Sequence, residues 1–196
     1  MPSSWHRPAV LMYPAPQNPS MDPATIRRMF SFARAEEEII SGFDLPPELF
    51  VPLILSIRSG GDWSYAAGEA RSVSVVEKTT VYDESRKQGR TREEIYLVVS
   101  PEMLEEEGAV RRLEKCGEEE TRLLVTRPYR VKVRGERVIR ADVDPLTMEI
   151  PVHEIDRREL TFTGSAAYGF AHEMEHMAGG KIIGTGIYEF TYRRTG

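Results

Sequence analysis

His172, Glu173 and His176 stand within the run Phe170-Ala-His-Glu-Met-Glu-His-Met-Ala-Gly-Gly180, and their types and spacing can do chemistry. Residues four apart share one face of a helix, so both imidazoles can reach a single metal ion. Glu173 follows the first histidine and can accept the proton of a metal-bound water. The same spacing also suits two surface histidines, or two core histidines satisfied by backbone carbonyls. The flanking residues favour a buried helix instead. Gly164-Ser165 starts it, residues 166–171 are apolar on several faces, and Gly179-Gly180 stops it. A buried histidine pair needs partners, which points to a metal site.

A catalytic site of this kind has three protein ligands and one open position. Downstream of His176 the choices are poor: Gly179 suits the extended metalloprotease pattern, but position 182 is Ile, and Glu189 lies in an expected strand. The third ligand is therefore expected upstream, from Cys116, His153, Glu154 or Asp156. His153-Glu154-x-Asp156 lacks a second histidine at helical spacing and reads as loop chemistry. Cys116, the one cysteine, would otherwise be a small apolar filler, but a metal deprotonates a thiol and makes it a ligand.

The elements that must position these groups fit one domain over residues 1–196, long enough for a sizeable core. Apolar residues make up 40% and charged residues 29%, the balance of a soluble globular protein. A net charge of −5 without a basic stripe argues against nucleic-acid binding. The longest apolar run, 49–56, is too short to span a bilayer, and residues 1–8 lack the order of a secretory signal. One cysteine excludes an internal disulfide framework and fits a reducing compartment.

Residues 1–22 read as irregular, with a helix from Asp22-Pro23 to about Ile40 and a broken or partly helical stretch over 43–62. Strands are expected at Val73–Tyr82, Ile95–Ser100, Leu123–Val125, Tyr129–Val133, Val138–Val143 and Ile182–Tyr192. Turns are expected at Gln88-Gly89-Arg90 and Arg134-Gly135-Glu136, and the acidic clusters 102–107 and 118–120 read as solvated loops. Strands gathered before a late buried helix give an α+β fold.

A cysteine in an E-x-C segment, followed later by HExxH on a helix, resembles peptide deformylase. Six stretches carry the likeness. Val10-Leu-Met-Tyr-Pro-Ala-Pro16 resembles the family's opening segment, and Tyr65-Ala-Ala-Gly-Glu69 stands where the family has G-x-G-L-A-A-x-Q. Val99-Ser-Pro-Glu102, Glu114-Lys-Cys-Gly-Glu118 and Thr126-Arg-Pro-Tyr-Arg130 resemble the N-P segment, the E-G-C-L-S motif and the strand after it. The segment from His172 to Gly179 is similar to H-E-x-D-H-L-x-G.

The resemblance implies a deformylase-like fold with mixed or antiparallel strands around a central metal-binding helix. It implies Cys116, His172 and His176 as ligands of one divalent ion, Fe2+ or Zn2+, with Glu173 as acid/base and the Gly117 amide as oxyanion donor. Glu114 and Arg127 would form a supporting ion pair. Glu69 replaces the glutamine whose amide helps hold the oxyanion. An ionised carboxylate cannot donate, although a neutral carboxyl can. Losing such a donor typically costs about 100–1,000-fold in rate. Lys115, Gly117 and Glu118 also depart from the second motif, Tyr168 and Gly169 stand at pocket-wall positions, and residues 141–160 read as an insertion.

The implied activity is removal of the formyl group from N-formylmethionyl peptides and nascent chains, near ribosomes, in bacterial cytoplasm or a eukaryotic organelle such as the mitochondrion. No nucleic-acid or membrane partner is expected. The alternatives are an inactive deformylase-like metal-binding module, favoured by the eroded first motif, and an HExxH endopeptidase.

Overall fold

Valines and isoleucines at alternate positions in mid-chain build the sheet on which the rest of the fold packs. The computed structural model describes residues 31–114, 122–144, 149–179, 182 and 184–186. Helix α1 spans Arg34–Ser41, and a 3₁₀ turn at Pro47–Phe50 leads into helix α2 at Val51–Ser59. Pro47 and Pro52 sit in the first turns of their elements, where a missing N–H costs nothing. Five strands follow: β1 (Trp63–Ala67), β2 (Ala70–Asp83), β3 (Gln88–Val99), β4 (Glu102–Glu107) and β5 (Val110–Glu114). Next come β6 (Leu123–Arg127), β7 (Arg130–Arg134), β8 (Arg137–Val143), β9 (Val152–Ile155) and β10 (Glu159–Thr163). Helix α3 is Ser165–Met177, and β11 is Thr185–Gly186.

Among the described residues the strand pairings are antiparallel, in sheets ordered β1-β2-β3-β8-β9, β10-β7-β4 and β11-β6-β5. The fold is thus α+β and mostly antiparallel. Period-two alternation divides the long sheet between two cores. Val76, Ile95, Leu97 and Ile139 face Phe50, Leu53 and Ile54 of the 3₁₀ turn and α2. Val73, Val75, Val98 and Val138 face Phe162 and the apolar side of α3 at Ala166, Ala167 and Phe170. Both sides of β2 are covered over residues 72–76, which explains its unbroken buried run. Among the described residues no third strand joins the β2–β3 hairpin beyond Glu77 and Glu93, and residues 78–89 are exposed as a two-stranded ribbon.

Several elements differ from the sequence reading. The hairpin turn falls at residues 84–87 rather than at Gln88-Gly89-Arg90, because Asp83 Oδ1 accepts the Ser85 and Arg86 N–H groups and closes the chain earlier. Residues 102–107 are not a solvated loop but strand β4. Its glutamates face the basic β7, with Glu102 near Arg134, Glu105 near Lys132 and Glu107 bonded to Arg130 at 3.0 Å. The expected helix from Asp22 is described only as Arg34–Ser41, and the expected strand from Ile182 only at Thr185–Gly186. The segment 10–16 and the cluster 118–120 lie outside the described residues. Among the described residues no helix is long and apolar enough to cross a membrane.

Phe162 has 1% exposure and lies 5.7 Å, centroid to centroid, from both Tyr96 and Phe170. Phe162→Ala is expected to cost about 3–5 kcal/mol by opening a cavity between sheet and helix. A thermal melt should show the midpoint falling by roughly 10 °C.

Candidate active site: two carboxyls against one helix

Helix α3 offers two side-chain rows. Gly169 and Glu173 are four apart on one, and Tyr168, His172 and His176 are four apart on the other. The first row meets β1 and the residue before it. A Cβ added at Gly169 would lie 1.8 Å from Asp62 Oδ2, so only glycine lets the Asp62 carboxyl rest on the helix. Asp62 Oδ1 accepts the Val76 N–H at 2.9 Å. One turn along, Glu173 is 8% exposed, and its Oε2 accepts the Ser64 hydroxyl at 2.5 Å.

The two carboxyls perturb each other. Burial raises Asp62 above its ordinary range, opposed by the Val76 N–H and by neighbouring cations. Burial pushes Glu173 up to about 7; the Ser64 hydroxyl and His172 oppose it, and the Asp62 charge adds to it. Two carboxyls in one poorly solvated space cannot both ionise freely. The Val76 N–H gives the Asp62 charge a fixed donor, and burial favours the neutral form of Glu173.

The second row belongs to an ion-pair network. Arg127 is 2% exposed; its Nη2 donates to Glu114 Oε2 at 2.8 Å and its Nη1 to Glu175 Oε1 at 2.8 Å. His172 Nδ1 lies 2.9 Å from the same Glu114 oxygen, and the two Nε2 atoms of His172 and His176 are 3.0 Å apart. Burial would raise Glu114, but its bonds with His172 and Arg127 outweigh that and hold it at about 2. Burial lowers His172, and bonding to Glu114 with the charges of Glu173 and Glu114 raises it overall.

The residues expected at the site are thus distributed unevenly. Glu173, His172, His176, Glu114 and Arg127 come together around α3. Glu69 is exposed in the turn after β1, about 20 Å along the strand from Asp62. Cys116 and Gly117 lie outside the described residues. Glu154 is ion-paired with Arg137 in β9. Among the described residues no three His, Cys, Asp or Glu side chains converge as a metal-ligand set. The sequence reading passed over Asp62 and Ser64, whose only local signal is the Gly60-Gly61 pair before them.

Residues 50–154 match the RimB-like family, described as the retropepsin-like aspartic endopeptidase RimB. This span is more than half of the chain, and the chain belongs to that family. Comparison with curated proteins finds no match. Among solved structures, a peptide deformylase from Legionella pneumophila aligns with a TM-score of 0.39 and 16% identity, over 76% of this chain and 70% of that one. A likeness of that size carries no argument.

Family membership corrects the metal-based expectations. Aspartic-type hydrolysis activates water between carboxyls and takes no metal ion. The expected Fe2+ or Zn2+ centre on Cys116, His172 and His176 is therefore set aside, and with it the deformylase, the metal-binding module and the metal-dependent HExxH protease. The central helix remains, without the metal role assigned to it. His172 is engaged by Glu114 at Nδ1 and by His176 at Nε2.

Two stability predictions follow from these burials. Glu173 is raised in the fold from an ordinary 4.5 to about 7, so its contribution is fully present below about 4.5 and lost as pH rises through 7. The loss is on the order of 3 kcal/mol. Glu173→Gln should therefore melt higher than wild type at pH 8.5 and close to it at pH 4.5 or below; equal curves at both pH values would remove the assignment. Arg127→Met removes the enclosed cation that Glu114 and Glu175 share and should cost about 3–5 kcal/mol in urea titration.

Proposed function

We propose that the chain hydrolyses internal peptide bonds with a water activated between Asp62 and Glu173. The observation that carries this reading is the Asp62 carboxyl seated on Gly169, one helical turn from the buried Glu173. Four aspartates lie in the family-matched span. Asp83 closes the hairpin turn, Asp142 is paired with Arg140, and Asp144 lies near Arg90 and Arg92. Burial raises Asp62, and the charge of Asp62 acts on a second acid, Glu173. Glu173 lies outside the matched span, so its pairing with Asp62 rests on geometry.

The roles follow from which group holds the proton. Ionised Asp62 removes a proton from water, whose oxygen attacks the scissile carbonyl carbon. Protonated Glu173 gives its proton to the carbonyl oxygen, and a neutral gem-diol results. In its collapse Glu173 recovers a proton from one hydroxyl, while Asp62 delivers its own to the departing amine. The C–N bond breaks, leaving an acid and an amine with both carboxyls as they began. Exclusion of bulk water strengthens both transfers.

Cleavage of casein or a fluorogenic peptide tests this. Asp62→Asn and Glu173→Gln should each lower kcat about 100–10,000-fold with the fold intact by circular dichroism. The rate should fall as pH rises through about 7, where Glu173 loses the proton it must donate. Full turnover in either variant, or a rate that stays flat to pH 9, would overturn the assignment.

A further inference from the structure

We propose that Ser64 is a positioning residue that fixes the proton of Glu173 on Oε1. The inference rests on the carboxyl-pair reading and adds to it the atom that donates. Ser64 joins β1 to α3 through its hydroxyl, 2.5 Å from Glu173 Oε2. The terminal torsion of a glutamate is broad and two-fold, so an unrestrained carboxyl exchanges its oxygens readily. A neutral carboxyl has one hydroxyl oxygen, which donates, and one carbonyl oxygen, which accepts. A hydroxyl can donate to a neutral carboxyl or accept from it. With Ser64 as the donor across the 2.5 Å contact, Oε2 is the carbonyl oxygen and the proton is left on Oε1.

Asp62 is arranged in the matching way. Its Oδ1 accepts the Val76 N–H, and Oδ2 lies against Gly169. Each acid thus has one oxygen held by a donor from the chain, Oδ1 of Asp62 by the Val76 N–H and Oε2 of Glu173 by Ser64. Asp62 and Ser64 stand two apart, so one short stretch of chain supplies the base and the group that orients the acid. Ser64 does not touch the substrate in this assignment. It acts through Glu173.

Two measurements on the full chain test the idea independently. Infrared difference spectra between wild type and Glu173→Gln, at about pH 5 where Glu173 is neutral, isolate its C=O stretch. Ser64→Ala should move that band to higher frequency by removing the donor from the carbonyl oxygen, and Ser64→Thr should return it. On a fluorogenic peptide, Ser64→Ala should lower kcat about tenfold with KM within about twofold, and Ser64→Thr should regain most of the rate. A band that does not move in Ser64→Ala overturns the proton placement whether or not the peptide is cut. A moved band in a protein that cuts no peptide upholds the placement and sinks the hydrolase. An unchanged kcat, or a loss that threonine does not rescue, overturns the positioning role.

Discussion

A carboxyl group pressed against a helix where any side chain larger than hydrogen would collide with it is the constraint on which the site depends. Asp62 occupies that place because position 169 is glycine, and the contact brings β1 against α3. Once β1 is seated, Ser64 meets Glu173 and the two acids share one poorly hydrated space. Burial raises both acids, and their surroundings differ. Glu173 is the more deeply buried of the two, while Asp62 has a backbone N–H and nearby cations to support its charge.

The other side of α3 is governed by charge compensation. Arg127 is almost fully enclosed, and such a cation is tolerated only with close anionic partners. Glu114 and Glu175 supply them from β5 and α3, and His172 completes the ring through Glu114. The network ties the small β11-β6-β5 sheet to the helix, so the two rows of α3 are held independently. One row carries paired acids and the other a rigid ionic frame.

How much of this was legible depended on the range of the interaction involved. Helix α3 and the strands β2, β3, β6, β7 and β8 announce themselves by apolar pattern and by the glycines around residues 164 and 179. Strand β4 did not, because Glu102, Glu105, Glu106 and Glu107 look like a solvated run until the basic residues of β7 lie opposite. Strands β1, β5, β9 and β10 were not expected, and each is only four or five residues long. The spacing of His172, Glu173 and His176 marked the helix against which the proposed acid pair lies but suggested metal chemistry, since a histidine pair bonded to a glutamate has the same spacing. Asp62 was invisible because its partner, Gly169, lies far downstream in the chain.

The β2–β3 hairpin has two regimes along one pair of strands. Its root is clamped on both faces by the cores, while residues 78–89 are held only by their mutual ladder. Opening of the outer rungs exposes little apolar surface and leaves the root intact. Chain inserted at the turn around Glu84–Lys87 therefore adds length without disturbing α3, so that tip is the natural point for grafting a reporter segment onto this scaffold.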